Sequence, residues 1–387
     1  MQRLVSTFCL LLVATTISSA ASSTDEQLPS NTNASSTITT VTKPLSIAGY
    51  RGSPIFDVSS PLIYSRDLSL YRTQTRTPAK STKPAVERIK RATIDPSMVG
   101  YIDNAIVHSE VRVRFDAALN DKTPDRAEFF YAKCGCYRFL TPQTNQFYDP
   151  RSPGPGPGIP GTVNFQHLYF YGEYSPHPHF SFFTQLPFRW LQPQSVAGSS
   201  QAFPNSGGFG DIQLGMKFAP IVSTRRYLTL QFRASLPSGD AGLGFGTNHY
   251  SIEPSLLYYQ RLSERFAVEA EVGDNHPIGT SSGLPTATSH GFAGDVFFYG
   301  AGPSYQFIRD ENFSLAGVLE VVGWNVRSGY VTGPANPSTA GVNIVNIKVG
   351  PRLSFGSHHS VYFGYGRALT SQNWYLDIFR TEYRYSF

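Results

Sequence analysis

The sequence predicts an all-β chain: a transmembrane antiparallel up-and-down β-barrel of about twelve strands behind a disordered N-terminal arm. Three observations predict it. Apolar and polar residues alternate with a period of two along one segment after another, the pattern of a strand with one apolar and one polar face. Connections between these segments are short and long by turns, the rhythm of a barrel with tight turns at one rim and loops at the other. Aromatics make up 14 % of the 387 residues and charged residues only 15 %, a balance that favours strands and turns over solvated helices. No internal apolar run reaches the roughly 18 residues of a spanning helix. A closed barrel is the other form whose backbone is satisfied within lipid.

Residues 1–20 read as an export signal, with Arg3 at the start, an apolar core from Phe8 to Ala14 and small residues Ser18, Ser19 and Ala20 at the cleavage position. Residues 21–97 form the arm, rich in Ser, Thr and Pro, which cannot bury enough apolar surface to offset the entropy of ordering it. The arm also carries the charge. Nine Lys/Arg face three Asp/Glu between Arg51 and Arg91, so the net +5 of the chain does not belong to a folded basic face. A nucleic-acid partner is not expected on that ground. The barrel is expected over residues 98–387, with one short helical turn at Met98 to Val107 leading in.

Twelve strands are expected, at 109–118, 163–174, 179–190, 210–221, 226–237, 249–261, 265–275, 294–308, 313–326, 343–356, 359–370 and 374–387. The first shows the pattern plainly: Val111, Val113, Phe115 and Ala117 alternate with Glu110, Arg112, Arg114 and Asp116. Leu228, Leu230, Phe232 and Ala234 alternate with Thr229, Gln231, Arg233 and Ser235 in the same way. The segments 163–174, 313–326 and 359–370 follow it poorly and are placed by their neighbours. The first outer loop, 119–162, is the longest, and contains Cys134-Gly-Cys136 and the run PGPGPGIPG at 153–161. The two cysteines are too close for a relaxed disulfide and lack two further ligands for zinc. No metal or cofactor is expected.

The last strand ends the chain. Phe379, Thr381, Tyr383, Tyr385 and Phe387 share one face, with Arg380, Glu382, Arg384 and Ser386 on the other. This ending resembles the closing strand of bacterial outer-membrane barrels. The resemblance implies that Tyr383, Tyr385 and Phe387 are read by the barrel-assembly machinery, and that the lipid bilayer of the outer membrane is the surrounding partner.

Strand parity then assigns a lumen. It turns Arg112, Arg114, Asp116, Arg189, Lys217, Arg233, Glu253, Glu269, Glu271, Lys348, Arg352, Arg380, Glu382 and Arg384 inward, with Glu320 beside them. The two signs are nearly balanced. Such groups either pair across the bore and hold strand register, or line a polar path that selects a solute. His249 and Ser251 lie two apart on one strand, an arrangement also carried by an outer-membrane phospholipase. They face the lumen rather than lipid, no asparagine is expected on their face, and no catalytic residue is assigned. GLGFGT at 242–247 precedes a strand, not a helix, so it offers no phosphate site.

A further resemblance rests on GFGDIQLGMKF (208–218), SLPSGD (235–240) and the stretch from Gly246 to Gly273. These are similar to the outer-membrane family of the meta-pathway of phenol degradation, whose members are described as transporters. The resemblance implies a channel or transporter for a small-molecule solute, aromatic or weakly polar solutes among them, and the barrel is expected to be monomeric. The alternatives are a structural or surface-interaction barrel of the envelope and, more remotely, a lipid-modifying enzyme.

Overall fold

The computed structural model describes residues 97–122, 162–193, 205–278, 293–330 and 338–387. The export signal, the arm up to residue 96, Cys134 and Cys136, and the Pro/Gly run at 153–161 lie outside the described residues.

Among the described residues thirteen strands are present: β1 (Glu110–Asp121), β2 (Val163–His177), β3 (Phe180–Pro193), β4 (Ser206–Phe209), β5 (Ile212–Val222), β6 (Arg226–Leu236), β7 (Tyr250–Arg261), β8 (Phe266–Ile278), β9 (Val296–Arg309), β10 (Phe313–Val326), β11 (Val342–Phe355), β12 (His359–Ala368) and β13 (Asp377–Ser386). Every pairing is antiparallel, and β1 lies between β2 and β13. β3 closes the cylinder by pairing β2 on one side and β4 and β5 on the other. β4 and β5 occupy one wall position, so the barrel has twelve staves. The strand expected at 210–221 is β5, and β4 prolongs the same stave beyond a break at Gly210 and Asp211; the break is braced by the Asp211 carboxylate. It accepts hydrogen bonds from the Gly239 and Thr247 amides at 3.0 and 2.8 Å and from Thr247 Oγ1 at 2.8 Å. Gly210 N–H keeps the break bonded to β3, donating to the Pro187 carbonyl at 2.8 Å.

Glu110 stands opposite Ser386, so the barrel's first and last strands meet at one rim. All five short turns, at 177–180, 222–226, 261–266, 309–313 and 355–359, lie at that same rim. The longer connections share the other rim. In outer-membrane barrels the turn rim is periplasmic.

The side chains are distributed inside out. Leu230 and Phe232 on β6 are 51 % and 40 % exposed, while Thr229 and Gln231 between them are buried. Ile347 and Val349 point outward from β11 around buried Lys348, and Phe379 points outward from β13 beside buried Arg380. A soluble sandwich would reverse this. A cylinder with a lipid-facing exterior requires it, since no water is available outside and only the bore can solvate charge. No helix among the described residues is long and apolar enough to cross a membrane.

The segment expected to form a helical turn, Met98 to Val107, does not. It runs as bends and extended chain within the bore, because its backbone groups bond side chains, the Met98 and Gly100 to Asp103 amides those of the wall and the Val99 and Ile106 amides its own Ser97 and Asn104, and not each other. The single helical element among the described residues is one 3-10 turn, Ala241–Leu243.

Candidate functional site

Residues 97–108 form a re-entrant plug. Ser97, Met98, Val99, Ile102, Asn104, Ala105, Ile106 and Val107 are all buried. Their partners trace the path. Ser97 and Met98 meet Glu269, Arg352 and Arg384, each two to four residues from the turn rim along its own strand. Tyr101 and Asp103 meet Glu320, Lys348, Arg380 and Arg233 near mid-strand. Ala105 to Val107 then return to Tyr227, Leu257, Tyr259 and Ala267, again beside the turns. The plug therefore rises from the turn rim to mid-bore and comes back to start β1.

The wall grips the plug mainly through its backbone. Glu320 accepts from the amides of Gly100, Tyr101 and Ile102 at 3.1, 2.8 and 3.4 Å. Glu269 accepts from the Met98 amide at 3.0 Å and from Ser97 Oγ at 2.7 Å. Glu271 accepts from the Asp103 amide at 2.8 Å. Arginines take the carbonyls: Arg352 donates to Met98 at 3.2 Å and to Val99, Arg380 to Gly100 at 2.8 Å and Arg384 to Ser97 at 3.1 Å. The wall also makes room. A Cβ at Gly300 would lie 2.5 Å from Ile102 Cγ2, and one at Gly364 would lie 2.8 Å from the Tyr101 ring, so larger residues there would push the plug out.

The fourteen residues assigned to the lumen by parity fall into two sets. Arg233, Glu269, Glu271, Lys348, Arg352, Arg380 and Arg384 touch the plug. Arg112, Arg114, Asp116, Arg189, Lys217, Glu253 and Glu382 pair within the wall. Arg380 holds Asp116 with two bonds of 2.6 and 2.7 Å, from strands that are directly in register. Arg233 bridges Glu253, its cross-strand partner, and Asp103 of the plug. Glu382 is shared by Arg352 at 2.9 Å, Arg384 at 3.1 Å and Arg112 at 3.8 Å. Arg189 donates to His167 Nε2 at 2.7 Å and to the Gly244 carbonyl at 3.0 Å, tying the β6–β7 connection to the wall.

Several residues of the bore escaped the sequence reading. Glu173 is buried and pairs Lys217 at 2.8 Å. The Arg112 and Arg114 guanidiniums lie over the Tyr171 and Tyr169 rings, 4.0 and 4.1 Å from their centroids. Tyr101 and Asp103 belong to a segment that was not expected to line anything. The one available signal was MVGYIDNAIV itself, an apolar stretch without strand parity directly before the first strand.

Above the plug apex lies a cavity of about 190 Å³. Tyr101 and Asp103 form its floor, Phe165, Trp324 and Tyr375 its upper wall, and Arg114, Lys348, Gln185 and Gln213 its polar sides. It combines aromatic faces with fixed charges. His249 and Ser251 are also buried inward, as parity expects. The expectation that no asparagine shares their face is corrected. β8 keeps its parity through Ile278, so Asn275 follows Glu269 and Glu271 inward and donates to Ser251 Oγ at 3.4 Å. His249 Nδ1 bonds the Thr247 carbonyl at 2.9 Å. Tyr383, Tyr385 and Phe387 lie on the outer face at the turn rim, where Tyr385 stacks on Phe387 with centroids 5.9 Å apart.

The family model described as "Putative MetA-pathway of phenol degradation" matches residues 157–375, more than half of the chain. The chain belongs to this family. The match runs from just before β2 to just before β13, and so covers most of the barrel wall but not the plug. Solved structures with a similar fold include an outer membrane channel of the COG4313 group from Pseudomonas putida F1. It is 15 % identical with a TM-score of 0.46, over 76 % of this chain and 100 % of that one. The KdgM porin is 10 % identical with a TM-score of 0.34, over 72 % and 99 % of the two chains. The Pseudomonas putida toluene transporter TodX is 10 % identical with a TM-score of 0.32, over 76 % and 91 %. No curated protein matches the chain.

Proposed function

We propose that this chain is an outer-membrane channel for small aromatic or weakly polar solutes, closed at rest by its own residues 97–108. The observation that carries the reading is the cavity above the plug, where Phe165, Trp324 and Tyr375 meet Arg114 and Lys348. An aromatic solute gains from such walls twice, by leaving water and by facing cations across its ring. Membership of a phenol-degradation family supports the same solute class. Solute would enter from the loop rim and leave past the plug into the periplasm. No reaction is assigned, and Ser251 lies within the bore, away from the lipid a lipid-modifying enzyme would need to reach.

The remaining parts fit this reading. Residues 1–20 would direct export, residues 21–96 would form a periplasmic arm, and the outer-face row Tyr383, Tyr385 and Phe387 would engage the barrel-assembly machinery. The fourteen inward residues would act in two ways, some as plug holders and some as wall pairs that leave a narrow polar path. Liposome swelling with purified protein tests the function, using sugars and charged aromatic acids as solutes that do not cross lipid unaided. Uptake above that of empty vesicles is expected. The seated plug also favours a second reading, a structural envelope barrel without transport, and absence of uptake with the plug removed would decide for it.

A further inference from the structure

Tyr101 is held unlike the rest of the plug. Gly100 and Ile102 on either side are gripped through their backbone, but Tyr101 also places its ring under two lumen cations. The Arg380 guanidinium carbon lies 4.0 Å and the Lys348 ammonium 4.1 Å from the ring centroid. Tyr362 meets the ring edge-on, at 6.1 Å and 85°. Lys348 is buried, and among the described residues it forms no salt bridge; its close partners are the Tyr101, Trp324 and Tyr375 rings. The Tyr101 hydroxyl is buried and makes no hydrogen bond among the described residues. The slot therefore recognises a flat electron-rich ring and not the hydroxyl. The cavity begins at this ring. Its volume exceeds the roughly 150 Å³ that accommodates benzene in an apolar protein cavity.

We propose that the slot formed by Lys348, Arg380 and Tyr362 is the binding site for a neutral, electron-rich monocyclic aromatic solute, and that Tyr101 fills it as a tethered stand-in. A methylphenol is the Tyr side chain without its backbone. Arriving through the cavity, it competes with Tyr101 for the same two cations. Because it binds only where Tyr101 has left, it shifts the plug toward its unseated state by mass action. This rests on the channel reading, and it names the solute class and the contact that couples solute to plug.

The test is 4-methylphenol binding to the full-length protein in detergent, followed by calorimetry and by the fluorescence of Trp324 and Trp374, whose rings lie 5.0 Å apart next to the slot. Tyr101→Ala is expected to bind 4-methylphenol roughly tenfold more tightly than the wild type, the scale of a desolvated cation–ring contact. Tyr101→Phe keeps a ring in the slot and should stay within about threefold of the wild type. Lys348→Met in the Tyr101→Ala background should weaken binding by roughly tenfold. Heat-modified gel mobility reports folding, and Tyr101→Leu replaces Tyr101→Ala if the smaller side chain does not fold. Equal affinity in wild type and Tyr101→Ala, or no saturable binding in either, overturns the proposal. Tighter binding without conductance would keep the slot and remove the channel. Conductance with unchanged affinity would keep the channel and remove the slot.

Discussion

Arg380 shows how much one side chain is asked to do. It binds Asp116 twice, donates to the Gly100 carbonyl and lies over the Tyr101 ring. Arg380→Leu leaves buried Asp116 with only the more distant Arg114, 3.5 Å away, as counter-charge, and the loss expected is about 3 kcal/mol. Urea unfolding from lipid vesicles measures it, and a change below about 1 kcal/mol would contradict the pairing. His108 sits where the plug turns into β1. Burial alone would lower its pKa, but the Glu110 carboxylate 3.0 Å away outweighs burial and the net direction is up. The protonated ring can donate both to Glu110 and to the Ile106 carbonyl at 3.1 Å. A raised folded pKa means that this stabilisation is complete below the unfolded value of about 6.5 and is lost as pH rises through the folded value. The urea midpoint of the wild type should therefore fall on going from mildly acidic to alkaline pH. His108→Gln should flatten that fall, and an unchanged slope in the variant would remove the assignment.

At the scale of the element, legibility followed the neighbours. β6 reads from sequence because its outer row meets lipid and its inner row meets polar groups. The three segments that resisted are explained by what they face. β10 turns Ala316, Val318 and Val322 inward because Met98, Val99 and Ile102 of the plug lie against them. β12 turns Tyr362 inward for the same reason. β2 has aromatics on both faces, since Tyr169 and Tyr171 serve the Arg114 and Arg112 guanidiniums within while Phe170 faces outward. Period-two reasoning assumes a polar bore, and it fails where the bore is filled by protein. The plug itself was misread as a helical turn because its partners are remote: Glu320 lies 218–220 residues from the amides it accepts. Glu320→Ala should release those amides, and hydrogen exchange at Gly100, Tyr101 and Ile102 should accelerate by at least about tenfold while wall amides stay protected. Exchange that rises equally throughout the wall would instead mean that Glu320 supports the barrel and not the plug.

For the whole molecule, closure was legible, since twelve staves, one rim of short turns and a polar lumen follow from pattern. That the lumen is occupied was not, because a segment with no regular period gives no periodic signal. The lipid-facing belt makes its own prediction. Leu230→Arg places a charge on the outer face of β6, and should cost about 2–4 kcal/mol of vesicle-inserted stability if that position lies near the bilayer midplane. A cost near zero would argue that this face does not meet hydrocarbon. The central claim is that residues 97–108 close a bore whose charges hold them there. Planar-bilayer recording of the wild type beside a variant lacking residues 97–107 tests it most directly. The account predicts a wild type that is closed most of the time and a deletion variant with a steady conductance; a wild type conducting as continuously as the deletion variant would contradict it.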